Sequence, residues 1–343
     1  MTSFTYYHNP SQNDLGHHVE DFLAKVATPV CLTQQGVDTT RTRAIVTLIH
    51  GNEPSGVRAV YEWFKSGRKP AVNVVCIVAS VEAALLSPLF THRMLPGERD
   101  VNRCFFSSLH DKSGRLAEEI LTVLKHYKPE AVVDIHNTSG SGPAFGVVMH
   151  HDLTHESLVS NFAQRMLVTQ LRLGALMEIS EDLFPTVTIE CGGREDEEAD
   201  EIATEGVFRY LTTADVLRPL SADWGMDILY NPVRLELREG CNVCYADRPQ
   251  PDADLTLSVD IEHKNFGTVP KGTFLGWVGE QGLDVLVAKS ADDRCVVSAL
   301  VFVENGKLLT AQDLKLFMVT TNPEIAKMDC LFYAVKDDGD EIK

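Results

Sequence analysis

Ala44-Ile45-Val46-Thr47-Leu48-Ile49-His50-Gly51-Asn52-Glu53 is a β-branched, apolar run that ends in His-x-x-Glu. A second run of the same kind, Ala131-Val132-Val133, leads into Asp134-Ile135-His136-Asn137-Thr138. Branched side chains of this sort fill buried strands. A strand ending in His-x-x-Glu, with another strand delivering a second His, can place two imidazoles and a carboxylate around one point. Three such donors, with a fourth position open to water or substrate, are how catalytic zinc is held. A Mg²⁺ site would be richer in oxygen. The expected ligands are therefore His50, Glu53 and His136, for one Zn²⁺ per chain. The chain has 12 His, and a lone His beside a strand is ordinarily a surface or satisfied polar residue, so only the set of three points to a metal.

Outward from these motifs the pattern is α/β. Strand-like runs fall at 43–49, 72–79, 131–135, 145–149 and 186–190, with helical stretches near 56–66, 114–127 and 154–171 between them. Leu116, Ile120, Leu121 and Leu124 recur at helical spacing, which marks a core-facing stripe. The alternation predicts a mixed central sheet flanked by helices, with ligands at strand ends. Six acids within 194–202 follow Gly192-Gly193 and read as the start of a helix running to about Leu211, where negative charge suits the helix dipole. Past about residue 220 the helical period fades and short strands alternate with turn signals, of which Glu304-Asn305-Gly306-Lys307 is a hairpin turn. The expected organisation is an N-terminal extension over 1–42, a zinc-dependent catalytic α/β domain over 43–220 and a smaller β-rich domain over 221–343, ending in a frayed tail from Lys336 to Lys343.

A chain of 343 residues can bury a substantial core. Its net charge of −18 argues against nucleic acid and anionic membranes as partners. No apolar run approaches the roughly 20 residues that span a bilayer, and Met1–Pro10 has neither the basic start nor the apolar stretch of a secretory signal. The eight Cys are scattered, with one CxxC at Cys241–Cys244 and no second pair to complete a zinc site. Reduced thiols in a cytoplasmic protein are the expectation. An acidic protein that handles an acidic substrate needs a local cationic pocket, for which Arg93, Arg99 and Arg103 are candidates.

Four motifs in order resemble the succinylglutamate desuccinylase/aspartoacylase family, a branch of the zinc carboxypeptidase-like fold. Ile49–Glu53 and Asp134–Thr138 are similar to its two metal motifs, and Arg99-Asp100-Val101-Asn102-Arg103 to its substrate motif. Val187-Thr188-Ile189-Glu190-Cys191-Gly192-Gly193 is similar to the strand that bears its catalytic glutamate. The resemblance runs over roughly 40–215 and more loosely to the C-terminus. It implies zinc on His50, Glu53 and His136, Glu190 as general base toward a zinc-activated water, and Arg93 as the residue that polarises the scissile carbonyl. It implies a substrate carboxylate on Asn102 and Arg103, with Asn137 nearby. It also implies a C-terminal β domain that narrows the active-site mouth.

The chain departs from the family pattern in places. Arg93 aligns only across a two-residue insertion. The stretch Met177–Asp182 lacks the Arg that aspartate-specific members carry before the catalytic Glu, and no C-terminal Tyr equivalent is recognisable, which points away from N-acetylaspartate. The expected activity is zinc-dependent hydrolysis of the amide of a small N-acylated amino acid, in amino-acid metabolism, with homo-oligomerisation left open. The alternatives are a zinc carboxypeptidase acting on peptides and a metal-binding protein without catalysis. Asp134 shares a strand face with His136, and either orients that imidazole or satisfies backbone donors.

Overall fold

The apolar run around Ile45 forms the middle of a mixed sheet. The computed structural model describes residues 4–218, 225–290, 293–336 and 342. By its contacts the chain divides into one unit of residues 1–137, 144–166 and 171–227 and a second of 138–143, 167–170 and 228–343. The expected domain boundary at 220/221 lies outside the described residues. So does the expected frayed tail, except Lys336 and Ile342, and Ile342 is buried.

The first unit draws on β1 (Thr5–His8), β2 (Val30–Gln34), β3 (Asp38–Thr47), β4 (Val72–Val78), β5 (Val132–Thr138), β6 (Phe145–Val148), β7 (Arg165–Val168) and β8 (Thr186–Gly193). Seven of these strands lie in the order β1-β2-β4-β3-β5-β8-β6. The pairs β3–β4 and β3–β5 are parallel, whereas β2–β4 and β6–β8 are antiparallel, so the sheet is mixed as expected. Its helices are α1 (Gln12–Leu15), α2 (Val19–Val26), α3 (Ser55–Lys65), α4 (Val81–Ala84), α5 (Lys112–Tyr127), α6 (Leu153–Val159) and α7 (Glu197–Thr212). Leu116, Ile120 and Leu124 of α5 join Val46, Ile77 and Val132 of the sheet in one core cluster, which is the role their spacing predicts.

Two local differences from the sequence reading have plain causes. Residues 5–34 are not an extension beside the sheet, because β1 pairs with β2 and β2 with β4. The helix expected over 154–171 ends at Val159, and Arg165–Val168 forms a strand instead. Its continuous apolar content suits a buried strand as well as a helix, and periodicity cannot separate the two over so short a run. The acids at 194–202 do open α7, with Asp196 at its N-cap and Asp200 bonded to Ser55 Oγ and Arg58 on α3.

The second unit is built from β9 (Asp227–Tyr230), β10 (Val233–Leu237), β11 (Val243–Tyr245), β12 (Leu255–Leu257), β13 (Thr268–Val269), β14 (Phe274–Val278), β15 (Leu286–Ala288), β16 (Val301–Glu304), β17 (Lys307–Thr310), β18 (Leu314–Phe317) and β19 (Phe332–Lys336). All of these but β9 form two five-stranded sheets, β13-β18-β19-β10-β15 and β11-β12-β14-β17-β16, around a core that includes Leu235, Leu255, Leu275, Leu308 and Phe332. Glu304 pairs with Lys307 across the β16–β17 turn, with Asn305 and Gly306 at φ 52° and 73°, the left-handed pair that such a two-residue turn requires.

Candidate metal centre and active site

Strand register brings the two His motifs together. β3 and β5 run parallel and adjacent, with Val46 opposite Asp134 and Thr47 opposite Ile135, so both chains leave the sheet at the same edge. Beyond Thr47, Leu48 adopts φ 55°, a conformation that costs a branched side chain about 1–2 kcal/mol and turns the chain out of the strand. Gly51 permits the close approach that follows, since a Cβ there would lie 2.6 Å from Ala84 N and 2.7 Å from His92 O. Gly56 does the same for α3, whose Cβ-less face sits against Ile135 and Thr47. These two contacts explain why glycines bound the His-x-x-Glu motif.

His50, Glu53 and His136 are all buried and converge. Glu53 Oε1 lies 2.8 Å from His50 Nδ1, and Glu53 Oε2 lies 2.7 Å from His136 Nδ1. The far nitrogens are held as well: His50 Nε2 is 2.9 Å from Asp100 Oδ1 and His136 Nε2 is 2.8 Å from Asp134 Oδ2. A carboxylate on the distal nitrogen is the usual support of a metal-ligating imidazole, because it fixes the tautomer that points a lone pair inward. The donor set therefore fits a borderline divalent cation such as zinc. Burial opposes charge on His136, yet Asp134 and Glu53 push its pKa well above the usual value, and burial likewise works against Glu53, which the two imidazoles hold low. A cation would displace the protons these contacts share.

Asp134 thus contacts the imidazole directly, which settles its two sequence readings in favour of orientation. Asp100 is the residue that sequence reading missed in this role. It was visible only as part of Arg99–Arg103, and nothing along the chain joins it to a His fifty residues earlier. Burial raises the Asp100 carboxyl, but His50, Arg93 and Arg103 together hold it well below the carboxylate range.

Arg93 reaches the same cluster, donating to Asp100 Oδ2 at 2.9 and 3.2 Å and to Glu53 Oε1 at 3.3 Å. Arg99 does not join it, because its guanidinium grips Asp111 at 2.6 and 2.9 Å near the surface. Asn102 is buried in the 3₁₀ turn Val101–Arg103, and its Oδ1 accepts from Leu176 N at 2.9 Å. Arg103 Nη1 donates to the Asn102 carbonyl at 2.9 Å, and its charge is felt at Asp100. Asn137 was expected at the substrate. Its Nδ2 instead donates to Ser55 Oγ and Gly192 O, and its Oδ1 accepts from Ser55 N, which ties α3 to the end of β8. Both donors of the amide are occupied, so it works as a clamp.

Glu190 comes from β8, the next strand after β5 in the sheet order. It is buried, and among the described residues its Oε2 has no hydrogen-bond partner. Burial, with the Glu53 carboxylate adding to it, pushes its carboxyl up to about 8, moderated by His136, His50 and Arg93, whose charges place it within reach of the cluster. An unpaired buried oxygen costs about 1–3 kcal/mol, and a water or substrate atom would satisfy it.

A mixed sheet that presents two imidazoles, a carboxylate and an unpaired acid from three neighbouring strands defines a protein of deacylase type. The family described as succinylglutamate desuccinylase/aspartoacylase catalytic domain matches residues 39–212, about half of the chain, and the chain belongs to that family. Among solved structures it is similar to a succinylglutamate desuccinylase/aspartoacylase from Rhodobacter sphaeroides (17% identity, 85% of this chain and 83% of that one, TM-score 0.55). It is also similar to the succinylglutamate desuccinylase from Chromobacterium violaceum (12%, 89% and 88%, 0.56) and to murine aminoacylase 3 (13%, 87% and 96%, 0.51). At these identities the likeness is one of fold. No curated protein matches the sequence. Among the described residues no helix is long and apolar enough to cross a membrane.

Proposed function

We propose that this chain is a zinc-dependent hydrolase that cleaves the amide bond of a small N-acylated amino acid. The observation that carries the reading is the inward convergence of His50 Nδ1, Glu53 and His136 Nδ1, each imidazole braced from behind by an aspartate. These three side chains would hold one zinc ion. When bound, zinc supplies Lewis acidity that lowers the pKa of water from about 15.7 to roughly 7.

The remaining work falls to the chain's own residues. Glu190 takes a proton at its unpaired Oε2, a step that its raised pKa favours, and passes it to the leaving amine. Arg93, already against Glu53, supplies a cationic donor to the scissile carbonyl as negative charge grows there. Arg103 binds the substrate carboxylate, for which a guanidinium offers two parallel donors. Asn102 sets the turn that carries it.

The test is a hydrolysis screen of purified, zinc-loaded protein against N-succinyl-, N-acetyl- and N-formyl-amino acids beside blocked peptides. Release of a free amino acid from an N-acyl substrate supports the reading. Cleavage of peptides alone assigns a carboxypeptidase, and zinc binding without any turnover assigns a binding protein.

A further inference from the structure

His150, Asp152 and His155 repeat the arrangement of the first cluster at a different place in the same unit. Phe145 pairs with Glu190 and Val147 with Thr188, so β6 leads away from Glu190, and these residues follow its far end and open α6. One carboxylate again lies between two imidazoles. Asp152 Oδ1 is 2.8 Å from His155 Nδ1, and Asp152 Oδ2 is 3.2 Å from His150 Nε2. The far nitrogen of His155 is braced again, here 2.8 Å from Ser180 Oγ, which also accepts from Thr186 N at 3.0 Å. With a cation on Nδ1 in place of its proton, the hydroxyl would accept from Nε2–H, the tautomer that leaves the Nδ1 lone pair free.

We propose that His150, Asp152 and His155 form a second cation site, for a borderline transition metal of the zinc class. Ligand bonds of about 2.0–2.2 Å in a tetrahedron put donor atoms roughly 3.3 Å apart. One ligand atom from each of the three residues lies within 4.8 Å of the other two, so the set needs to close by at most about 1.5 Å to match. His155 is buried, whereas the side chains of His150 and Asp152 keep 45% and 43% of their exposure, so the fourth position faces water and the ion has a way in. Two imidazoles and one carboxylate favour zinc, nickel or copper over magnesium or calcium. Through His155 and Ser180 the ion would fasten the start of α6 to Thr186, the first residue of the strand that bears Glu190. This gives the site a structural or regulatory role separate from the chemistry at His50.

Chelator-stripped full-length protein titrated with zinc against a chromophoric chelator tests the proposal. Wild type should bind about two ions per chain, and His150→Ala about one, with circular dichroism unchanged because His150 is exposed. His50→Ala should also bind about one, and the double variant close to none. Asp152→Asn keeps the oxygen that caps α6 but removes the charge, and should weaken the second ion about tenfold or more. Uptake of a single ion by wild type, lost entirely in His50→Ala, overturns the second site. So does a His150→Ala protein that still binds two. Because the readout is the ion count, it stands whether or not the chain hydrolyses N-acyl amino acids.

Discussion

Asp134→Asn is the sharpest probe of the proposed metal centre. Asp134 is fully buried, with one oxygen 2.8 Å from His136 Nε2 and the other, Oδ1, without a partner among the described residues. An asparagine of the same shape must turn its oxygen to the imidazole, since its NH₂ would face an N–H. That leaves the NH₂ where the unpaired Oδ1 now sits, so one unsatisfied polar group replaces another and folding stability should change by less than the roughly 1–3 kcal/mol of a newly orphaned group. The hydrogen bond to His136 survives but loses its charge. Such changes behind a ligating imidazole lower metal affinity by about 10–100-fold, or roughly 1.4–2.7 kcal/mol. Zinc affinity is read by competition with a chelating indicator, and stability by urea unfolding of the zinc-free protein. Asp100→Asn gives the comparison at the other imidazole. It also removes one of the two anionic partners of Arg93, so for a similar loss of zinc it should lose more activity. A folded Asp134→Asn protein whose zinc affinity lies within about twofold of wild type would refute the idea that His136 presents Nδ1 to a metal with Asp134 behind it.

Glu190→Gln should retain zinc while kcat falls about 10²–10⁴-fold, because the amide cannot take a proton; kcat within threefold of wild type removes Glu190 from the mechanism. Arg103→Lys should lower kcat/KM by about 1.5–3 kcal/mol on an acidic substrate and by much less on its neutral amide analogue, a comparison read as a thermodynamic cycle. Equal losses on both would make Arg103 a support of the loop. Arg43→Met should destabilise the fold by about 3 kcal/mol in urea unfolding, near the low end for breaking a buried pair, while kinetics stay unchanged. Arg43 is fully buried, bonded to Glu130 at 2.7 Å and to the carbonyls of Tyr210, Thr213 and Ala214, but Arg41 at 3.3 Å still partners Glu130 after the change.

What the sequence determined by itself was chemistry carried by short-range pattern. The β-branched runs before His50 and His136 became β3 and β5, the stripe Leu116–Leu124 became the buried face of α5, and Asn305-Gly306 became a hairpin turn, because burial and turn geometry act over a few residues. The ligand types were legible for the same reason. Only the tertiary structure decided which strands lie side by side. β3, β5 and β8 lie side by side although β4, β6 and β7 come between them along the chain, and that adjacency brings Glu53, His136 and Glu190 to one sheet edge. It also decided what stands behind the ligands. Asp100 braces His50 from fifty residues away, and Asn137 became a clamp once Ser55 and Gly192 took both its donors. Hydrogen bonds between distant segments depend on the packing of every element between them, and no local pattern records that packing.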